Sequence, residues 1–339
     1  MAGSMGRKDR NAEAPKVVAL GGGTGLSTLL RGLKTYTSHI TAIVTVADDG
    51  GSSGRLRREL GVLPPGDFRN CIAALADDEA LITQLFQYRF GRGNGLDGHS
   101  FGNLFITALA AVTGSFERAI LEAGRVLAVQ GRILPATLED VTLVADMRET
   151  SGPDAAASGL TRVQGESAIP RCGQPIERVF LRPDGVRAHP EAVRAILDAD
   201  LIIAGPGSLF TSILPNLLVK DIRRAVGAAS ALRLYVCNVA TQSGETDGFD
   251  VGQHVSALQR HAGRGLFPNV LANSNLQAAQ AHPEVEMVAL CFPARAGYTV
   301  IEADLVDPAA PWRHDSRKLA AAIVDFYAER RASGWGQAA

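Results

Sequence analysis

The sequence predicts an α/β fold built on a mostly parallel sheet with a β-rich insertion, and three observations support this prediction. The stretch VVALGGGTGLSTLLRGL passes from β-branched residues through a glycine loop into leucines at helical spacing. The following HITAIVTVADD is continuously apolar, which is typical of a parallel strand covered on both faces. Helix and strand patterns alternate again beyond residue 190, as in folds with helices on both faces of a sheet.

The first part of the chain is predicted to begin with a βαβ unit over residues 17–48 and to continue as helices. Helical periodicity over CIAALADDEALITQLFQYRF predicts one helix, and FGNLFITALAAVTG predicts another that stops at Gly114. A third, FERAILEAGRVLAVQ, is expected to start behind Ser115 as its N-cap and to end by Gly131.

The pattern changes in the middle of the chain, which predicts an inserted flap over about residues 133–185. Two short strand-like pieces, TLEDVTLVADM and IERVFLRP, are separated by a polar segment. The α/β alternation then returns. It predicts the helices PEAVRAILDA and LLVKDIRRAVGAA, the strands DLIIAG, LRLYVCNVA and VEMVALCF, and the amphipathic terminal helix SRKLAAAIVDFYAERRA.

Composition and charge exclude several classes of protein. The chain is 46% hydrophobic and 20% charged, which is typical of a globular protein. Its net charge is −1 and its pI is near 6.7, so no general basic surface favours nucleic acid or an anionic membrane as a partner. The cysteines lie far apart, which argues against a zinc site or a disulfide framework. We expect all four to be reduced and buried: Cys71, Cys172, Cys237 and Cys291.

The ends of the chain are expected to be tails, at residues 1–15 and 331–339. The N-terminal segment MAGSMGRKDRNAEAPK is polar and has no apolar core of a signal peptide, so we expect it to be disordered. The longest apolar runs, such as LFITALAAV, are shorter than the roughly 20 residues that span a bilayer. We therefore expect a cytoplasmic protein without membrane insertion.

Four polar loops follow predicted strands, and in an open parallel sheet ligands bind at these strand ends. The first is a glycine loop that leads into a helix, which predicts phosphate binding by main-chain amides at Gly22, Gly23, Thr24 and Gly25. It is not a Walker A loop, because no Gly-Lys-Ser/Thr follows. As a dinucleotide fingerprint it has Thr28 at the third glycine position, although Asp48 lies where a ribose-binding acid belongs. A tight turn that serves only packing is the alternative.

A second glycine loop, GPGSLFTS, repeats this arrangement on another strand, with Gly205, Gly207 and Ser208 as its candidate ligand contacts. Two such loops on one sheet indicate a diphosphate or two separate anionic groups. The adjacent Asp48 and Asp49 repel a phosphate unless a cation lies between, so they predict either Mg²⁺ or the hydroxyls of a sugar. They are also the candidate catalytic residues. The alternative is a solvated turn in which Asp48 caps the next helix.

Other polar residues in loops or at helix starts complete the predicted site. Arg69 is a candidate phosphate clamp, because guanidinium groups bind phosphate in a bidentate manner. Asparagine amides and a histidine supply directional contacts for a base or a sugar. These candidate contacts are Asn70, His99, Ser100, Asn103, Asn238 and Thr241.

Taken in order, the motifs GGGTGLSTLLRGLK, VTVADDGGSSGRLRRELGVLPPGDFRNCIAALA, GHSFGNLFITAL, GES and DADLIIAGPGSLFTSILPNLLV closely resemble the gluconeogenesis factor, or YvcK, branch of the CofD-like family over residues 16–300. The resemblance implies a single Rossmann-like three-layer domain, spanning residues 16–330, with an inserted flap. It also implies a cytoplasmic protein that binds a nucleotide sugar of the UDP-GlcNAc type and influences cell shape and growth on different carbon sources.

The other branch of this family implies a different activity. It contains the phospholactate transferase of deazaflavin cofactor synthesis, which uses Mg²⁺ and a guanosine diphosphate-linked donor, and it assigns metal and acceptor binding to the aspartates that correspond to Asp48 and Asp49. The motifs ADDGGSSGRLR and GHSFGNL are typical of the gluconeogenesis factor branch, so the chain resembles that branch more closely.

Three functions therefore stand as hypotheses. The first is a nucleotide-sugar-binding regulator with room for a homodimer and a regulatory protein partner, the second is an Mg²⁺-dependent transferase, and the third is an NAD(P)-dependent oxidoreductase. The third lacks an identifiable catalytic His/Asp or Tyr/Lys arrangement, so we expect no redox cofactor.

Overall fold

A seven-stranded sheet forms the centre of the protein, and all of its neighbouring strands run parallel. The structure, a computed structural model, describes residues 14–76, 81–91, 95–149, 159–280, 282–294 and 296–334. Across the sheet the strands are β10 (Thr299–Ala303), β9 (Asn269–Asn273), β8 (Leu232–Val236), β7 (Leu201–Ala204), β1 (Val17–Gly21), β2 (Ile40–Val44) and β3 (Arg132–Pro135).

The strand order reverses next to β1. From β1 the chain adds β2 and β3 on one side, and it later adds β7, β8, β9 and β10 on the other. All residues of β1, β7 and β9 are buried. This burial explains why β1 and β7 are continuously apolar or small, whereas β9 begins and ends with a buried asparagine. The reversal leaves a crevice between the carboxyl ends of β1 and β7, the usual position of a ligand in this fold class.

Helices cover both faces of the sheet and complete the three-layer arrangement predicted from the sequence. In α1, the leucines at helical spacing are buried, and this helix packs against α3 and α12. The helices are α1 (Gly23–Leu33), α2 (Gly51–Leu60), α3 (Gly66–Leu75), α4 (Leu81–Gln87), α5 (Phe101–Thr113), α6 (Phe116–Val126), α7 (Ile169–Cys172), α8 (Pro190–Leu197), α9 (Leu214–Leu218), α10 (Lys220–Ala228), α11 (Val251–Ala262) and α12 (Ser316–Ala332), with a π-helical turn at Leu209–Ile213.

Two small antiparallel sheets stand outside the central one. The inserted flap is three-stranded, and a separate hairpin precedes α12. The flap contains β5 (Leu160–Gln164), β4 (Thr142–Arg148) and β6 (Ile176–Arg182), and the hairpin contains β11 (Val306–Asp307) and β12 (Ala310–His314). The buried carboxylate of Asp146 joins the flap strands through ion pairs with Arg162 at 2.7 Å and Arg178 at 2.6 Å.

Several predicted elements differ from the structure. The strand predicted for VEMVALCF is wrong, because this segment forms only one isolated bridge, between Met287 and Ala240. The last strands of the sheet are β9 and β10 instead. Strand β5 lies in the segment that was interpreted as a polar connection, and β3, at the start of the predicted insertion, belongs to the central sheet.

Other differences concern helices and thiols. The single helix predicted for CIAALADDEALITQLFQYRF is two helices, α3 and α4, and residues 77–80 between them lie outside the described residues. Ser115 caps α6, as predicted, by accepting from the Arg118 N–H. All four cysteines are free, but the expectation that they are all buried is wrong, because Cys291 is exposed and Cys172 is half-buried.

The predicted tails at residues 1–15 and 331–339 lie largely outside the described residues. Within the part of the chain that is described, no helix combines the length and the apolar character needed to cross a bilayer.

Candidate functional site

The two glycine loops meet at the point where the strand order reverses. A methyl group placed on Gly25 would lie 2.7 Å from the Gly207 Cα and would also collide with the carbonyl oxygen of Pro206. Because real Cβ atoms need about 3.5 Å, only glycine allows the loops to approach this closely. Gly205 lies behind the surface of the loop, where its N–H donates to the Leu20 carbonyl at 2.9 Å.

A cavity of about 490 Å³ opens between these loops, which is a typical size for a small-molecule site. Eight of the residues proposed from the sequence line it: Gly22, Gly23, Thr24, Gly25, Gly207, Ser208, Asn238 and Thr241. Ser212 of the motif GPGSLFTS, which the sequence also offers as a helix cap or a ligand donor, lines it as well. The remaining lining residues were not predicted from the sequence, and they are Ser27, Thr28, Glu166, Pro206, Val239, Ala240, Gln242, Trp312, Arg313 and His314.

Side-chain amides hold the second glycine loop in place. Asn238 accepts from the Gly207 N–H at 3.3 Å and donates to the Gln242 side chain at 3.0 Å. Gln242 in turn donates to the Ser208 hydroxyl at 2.9 Å. Thr241 donates to Glu286 at 3.0 Å. Asn238 therefore shapes the phosphate-binding candidate loop in addition to lining the cavity.

The hairpin before α12 supplies one wall of the cavity. Trp312 is 46% exposed, Arg313 is exposed, and His314 is buried with its Nε2 at 3.1 Å from the Cys237 carbonyl oxygen. Burial lowers the pKa of His314 to about 4, so its ring is neutral at pH 7. The cavity thus combines main-chain amides with an aromatic ring and a guanidinium group.

Carboxylates crowd the other side of the first glycine loop. The Gly23 N–H donates to Asp67, and a methyl group on Gly22 would lie 2.6 Å from the Asp67 Oδ2, so this carboxyl group sits directly on the start of α1. Loss of contact with bulk water, followed by the nearby charge of Asp48, raises the pKa of Asp67 to about 7. The Gly23 amide is therefore already used, and Thr24 and Gly25 remain for a ligand.

Asp48 and Asp49 are held in place by different partners. Asp48 accepts from the Gly50 N–H at 2.9 Å, and removal from water raises its pKa. Asp49 reaches the flap, where its Oδ1 accepts from the Ser167 N–H at 2.9 Å. Neither aspartate lines the 490 Å³ cavity.

The described side chains contain no group of three or more His, Cys, Asp or Glu residues placed to hold a metal ion. Mg²⁺ commonly uses one or two protein carboxylates together with phosphates of its substrate. Asp48 and the neighbouring Asp67 could meet this requirement, whereas Asp49 is already engaged by the flap.

The remaining predicted contacts form a separate polar cluster outside the cavity. The Ser52 hydroxyl lies 2.9 Å from the His99 Nδ1 and accepts from the Asn103 side chain at 3.1 Å. Burial lowers the pKa of His99, so the ring is neutral at pH 7. Ser100 caps α5 by accepting from the Asn103 N–H at 3.3 Å.

Arg69 lies beside this cluster, with its stem against Gly102. The guanidinium donates to the Asn70 side chain at 2.7 Å. Neither Arg69 nor Asn70 lines the cavity, and neither do His99, Ser100 and Asn103. The structure therefore divides the predicted site into two groups on either side of the carboxylates.

Residues 17–306 match the family described as 2-phospho-L-lactate transferase CofD. The chain belongs to the CofD family. Within it, this CofD family member lies in the gluconeogenesis factor branch, since relatives with that name align over most of its length. The gluconeogenesis factor of Bacillus subtilis is 47% identical over 325 residues, which cover 94% of this chain and 99% of that protein. The one from Halalkalibacterium halodurans is 45% identical over 322 residues, or 91% and 95% of the two chains.

A solved structure gives the same result. The crystal structure of a UPF0052 family protein from Bacillus halodurans superposes with a TM-score of 0.82 at 44% identity, covering 92% of this chain and 99% of that one. The Rossmann-like central sheet with its antiparallel flap is thus the fold of this CofD family member.

Proposed function

We propose that this CofD family protein is a gluconeogenesis-related regulator that binds a nucleotide sugar of the UDP-GlcNAc type and thereby acts on cell shape and on growth with gluconeogenic carbon sources. The name of the Bacillus subtilis relative supports the connection with gluconeogenesis. The observation that supports ligand binding is the cavity between the two glycine loops, which offers groups suited to each part of a nucleotide sugar.

The pyrophosphate would bind between the amides of Thr24 and Gly25 and the amide of Ser208, since the Gly207 N–H already donates to Asn238. The start of α1 has a positive partial charge, which contributes about 0.3–2 kcal/mol for an anion. Hydrogen bonds to charged groups contribute about 1.5–3 kcal/mol each. With Arg313 as a countercharge, these contributions reach the roughly 8 kcal/mol that micromolar affinity requires.

The base would stack on Trp312. A half-exposed aromatic ring in a cavity wall suits this role, because base–aromatic stacking contributes about 1–3 kcal/mol per base.

The homodimer and the regulatory protein partner expected from the sequence stay predictions.

Titration calorimetry with UDP-GlcNAc, with and without Mg²⁺, tests the proposal. We expect micromolar binding to the wild-type protein and at least tenfold weaker binding to Arg313→Ala, since one charge-assisted hydrogen bond is worth about 1.5–3 kcal/mol. Arg317→Ala is the matched control, because this neighbouring arginine is exposed and does not line the cavity. Absence of heat at high micromolar protein under both conditions would count against the proposal.

A second candidate function is suggested by the carboxylates beside the glycine loop. In an Mg²⁺-dependent transferase of the CofD type, Asp48 and Asp67 would hold the cation, and the cation would neutralise charge on the diphosphate of the donor. This activity predicts release of UMP or GMP when donor and acceptor are mixed. If no turnover is seen in wild type and Asp48→Asn binds nucleotide normally, the enzyme candidate fails.

A further inference from the structure

The flap places one carboxyl group, that of Glu166, in the wall of the cavity. Glu166 lies in the short loop between β5 and α7 and lines the cavity together with the first glycine loop. Glu166 is not among the contacts predicted from the loops at the strand ends of the central sheet, because it belongs to the flap, which is a separate sheet.

Asp49 fixes the backbone on both sides of Glu166. The Ser167 N–H donates to the Asp49 Oδ1 at 2.9 Å, and the Gly165 Cα packs against the Oδ2 with no room for a side chain. Gly165 has a φ of +104°, a backbone conformation that residues other than glycine rarely adopt. The backbone on both sides of Glu166 is therefore held by Asp49, which lies between β2 and α2, and Asp49 acts as a positioning residue.

A buried carboxyl group, that of Glu245, lies near Glu166 but outside the cavity lining. Glu245 accepts from the Thr211 hydroxyl at 3.0 Å, and the Ser208 hydroxyl and the Phe210 N–H also donate to its carboxyl group. The residue is only 7% exposed. Its charge, like those of Asp48 and Asp67, acts on Glu166, although none of these three residues lines the cavity. Glu166 is therefore the carboxyl group that offers hydrogen-bond acceptors in the cavity wall.

Phosphate oxygens are repelled by such acceptors, but sugar hydroxyls and the N–H of an acetamido group can donate to them. We propose that Glu166 is a specificity residue that contacts the sugar of the bound nucleotide sugar. This inference rests on the proposed function and adds to it which part of the ligand faces the flap.

The protonation of Glu166 agrees with this role. Removal from water, together with the charges of Asp48 and Asp67, raises the pKa of Glu166 to about 8. At pH 7 the group is mostly a neutral carboxylic acid, which can both donate to and accept from a sugar and does not repel a neighbouring diphosphate.

The test compares the affinities of UDP and UDP-GlcNAc by calorimetry for wild type, Glu166→Ala and Glu166→Gln. We expect the sugar to improve binding of the wild type at least tenfold at pH 7, as for two hydrogen bonds. Glu166→Ala should bind UDP with normal affinity, but it should no longer bind UDP-GlcNAc more tightly than UDP. Glu166→Gln should still bind UDP-GlcNAc more tightly than UDP, because an amide also donates and accepts hydrogen bonds. Glu122→Gln, on the exposed side of α6, is the control that should change nothing.

The pH profile separates a direct contact from a structural role. Between pH 7 and 8.5 the ratio of the UDP-GlcNAc affinity to the UDP affinity should fall in wild type as Glu166 ionises. In Glu166→Gln this ratio should stay constant, because ionisation of Asp67 in the same range weakens the binding of both nucleotides alike. An unchanged sugar ratio in Glu166→Ala, with normal UDP binding, would overturn the inference and leave the proposed function intact. The inference would also be overturned if the tighter binding of UDP-GlcNAc required Mg²⁺ and disappeared in Glu166→Gln, because Glu166 would then be a cation ligand. If wild type binds neither nucleotide, the proposed function itself fails.

Discussion

The substitution Gly25→Ala tests the contact between the two glycine loops. Gly25 is the third residue of α1, and its added methyl group would lie 2.7 Å from the Gly207 Cα. Carbon atoms pack at about 3.5–4.0 Å, so the loops would have to separate by roughly 1 Å. Both neighbours are backbone atoms and cannot rotate away as a side chain would.

The expected cost follows from this collision. Overpacking of a tight contact destabilises by about 1–3 kcal/mol, and the better helix propensity of alanine returns at most about 1 kcal/mol. We therefore expect a net loss of up to about 2 kcal/mol in the free energy of unfolding. The affinity for UDP-GlcNAc should also fall about tenfold or more, because the separated loops no longer present their amides together.

Urea denaturation followed by circular dichroism measures the first effect, and calorimetry measures the second. Gly124→Ala in α6 is the matched control, since its methyl group would meet Val129 at an ordinary 3.7 Å. This control should gain up to about 1 kcal/mol from helix propensity. If Gly25→Ala is as stable as Gly124→Ala and binds the ligand normally, the close approach of the loops is wrong.

Three further predictions follow from the charges and buried polar groups. The raised pKa of Asp67, about 7, means that the folded state holds its proton more tightly than the unfolded state; this contribution is complete below about pH 4 and is lost as pH rises through 7. Urea denaturation should therefore show Asp67→Asn gaining stability relative to wild type between about pH 4 and 7, by up to about 1.4 kcal/mol per pH unit, with little further change above pH 8; a pH-independent difference would contradict this. Ser52→Ala leaves His99 and Asn103 without their buried partner and should cost about 1–3 kcal/mol in the same assay, with ligand affinity unchanged; a large drop in affinity would show that this cluster contacts the ligand. Addition of the protein to NADH should produce no change in fluorescence, and a saturable change would favour the oxidoreductase hypothesis.

The elements that could be predicted from the sequence are those whose local hydrophobic pattern matches the way in which they are buried in the fold. Strands β1, β2 and β7 are buried on both faces, so their sequences are continuously apolar, and the leucines of α1 repeat at helical spacing. The glycine loops could be located for the same reason, because each directly follows such a strand.

Two of the missed strands, β5 and β10, lack that local pattern. Strand β5 reads LTRVQ and is partly exposed along its length, and β10 is also half-exposed at the edge of the sheet. Conversely, VEMVALCF is apolar enough for a strand, yet it lies over other elements as an irregular segment with one bridge. Its hydrophobicity reports partial burial, which does not by itself specify strand pairing.

The candidate site shows the same limit. Glu166 and the hairpin residues Trp312 and Arg313 reach the cavity only through tertiary folding, more than 100 residues from one another in the chain. Glu166 lies in the motif GES, which carries family resemblance but no local chemical signature. Arg69 and Asn103 are predicted contacts because of their residue types and their positions in loops or at helix starts, but the structure places them in the neighbouring polar cluster.

A crystal structure of the protein with UDP-GlcNAc would test the account most directly. We predict that the pyrophosphate oxygens lie within hydrogen-bond distance of the main-chain amides of Thr24, Gly25 and Ser208, with the sugar towards the flap. A ligand bound elsewhere, with both glycine loops empty, would contradict the account.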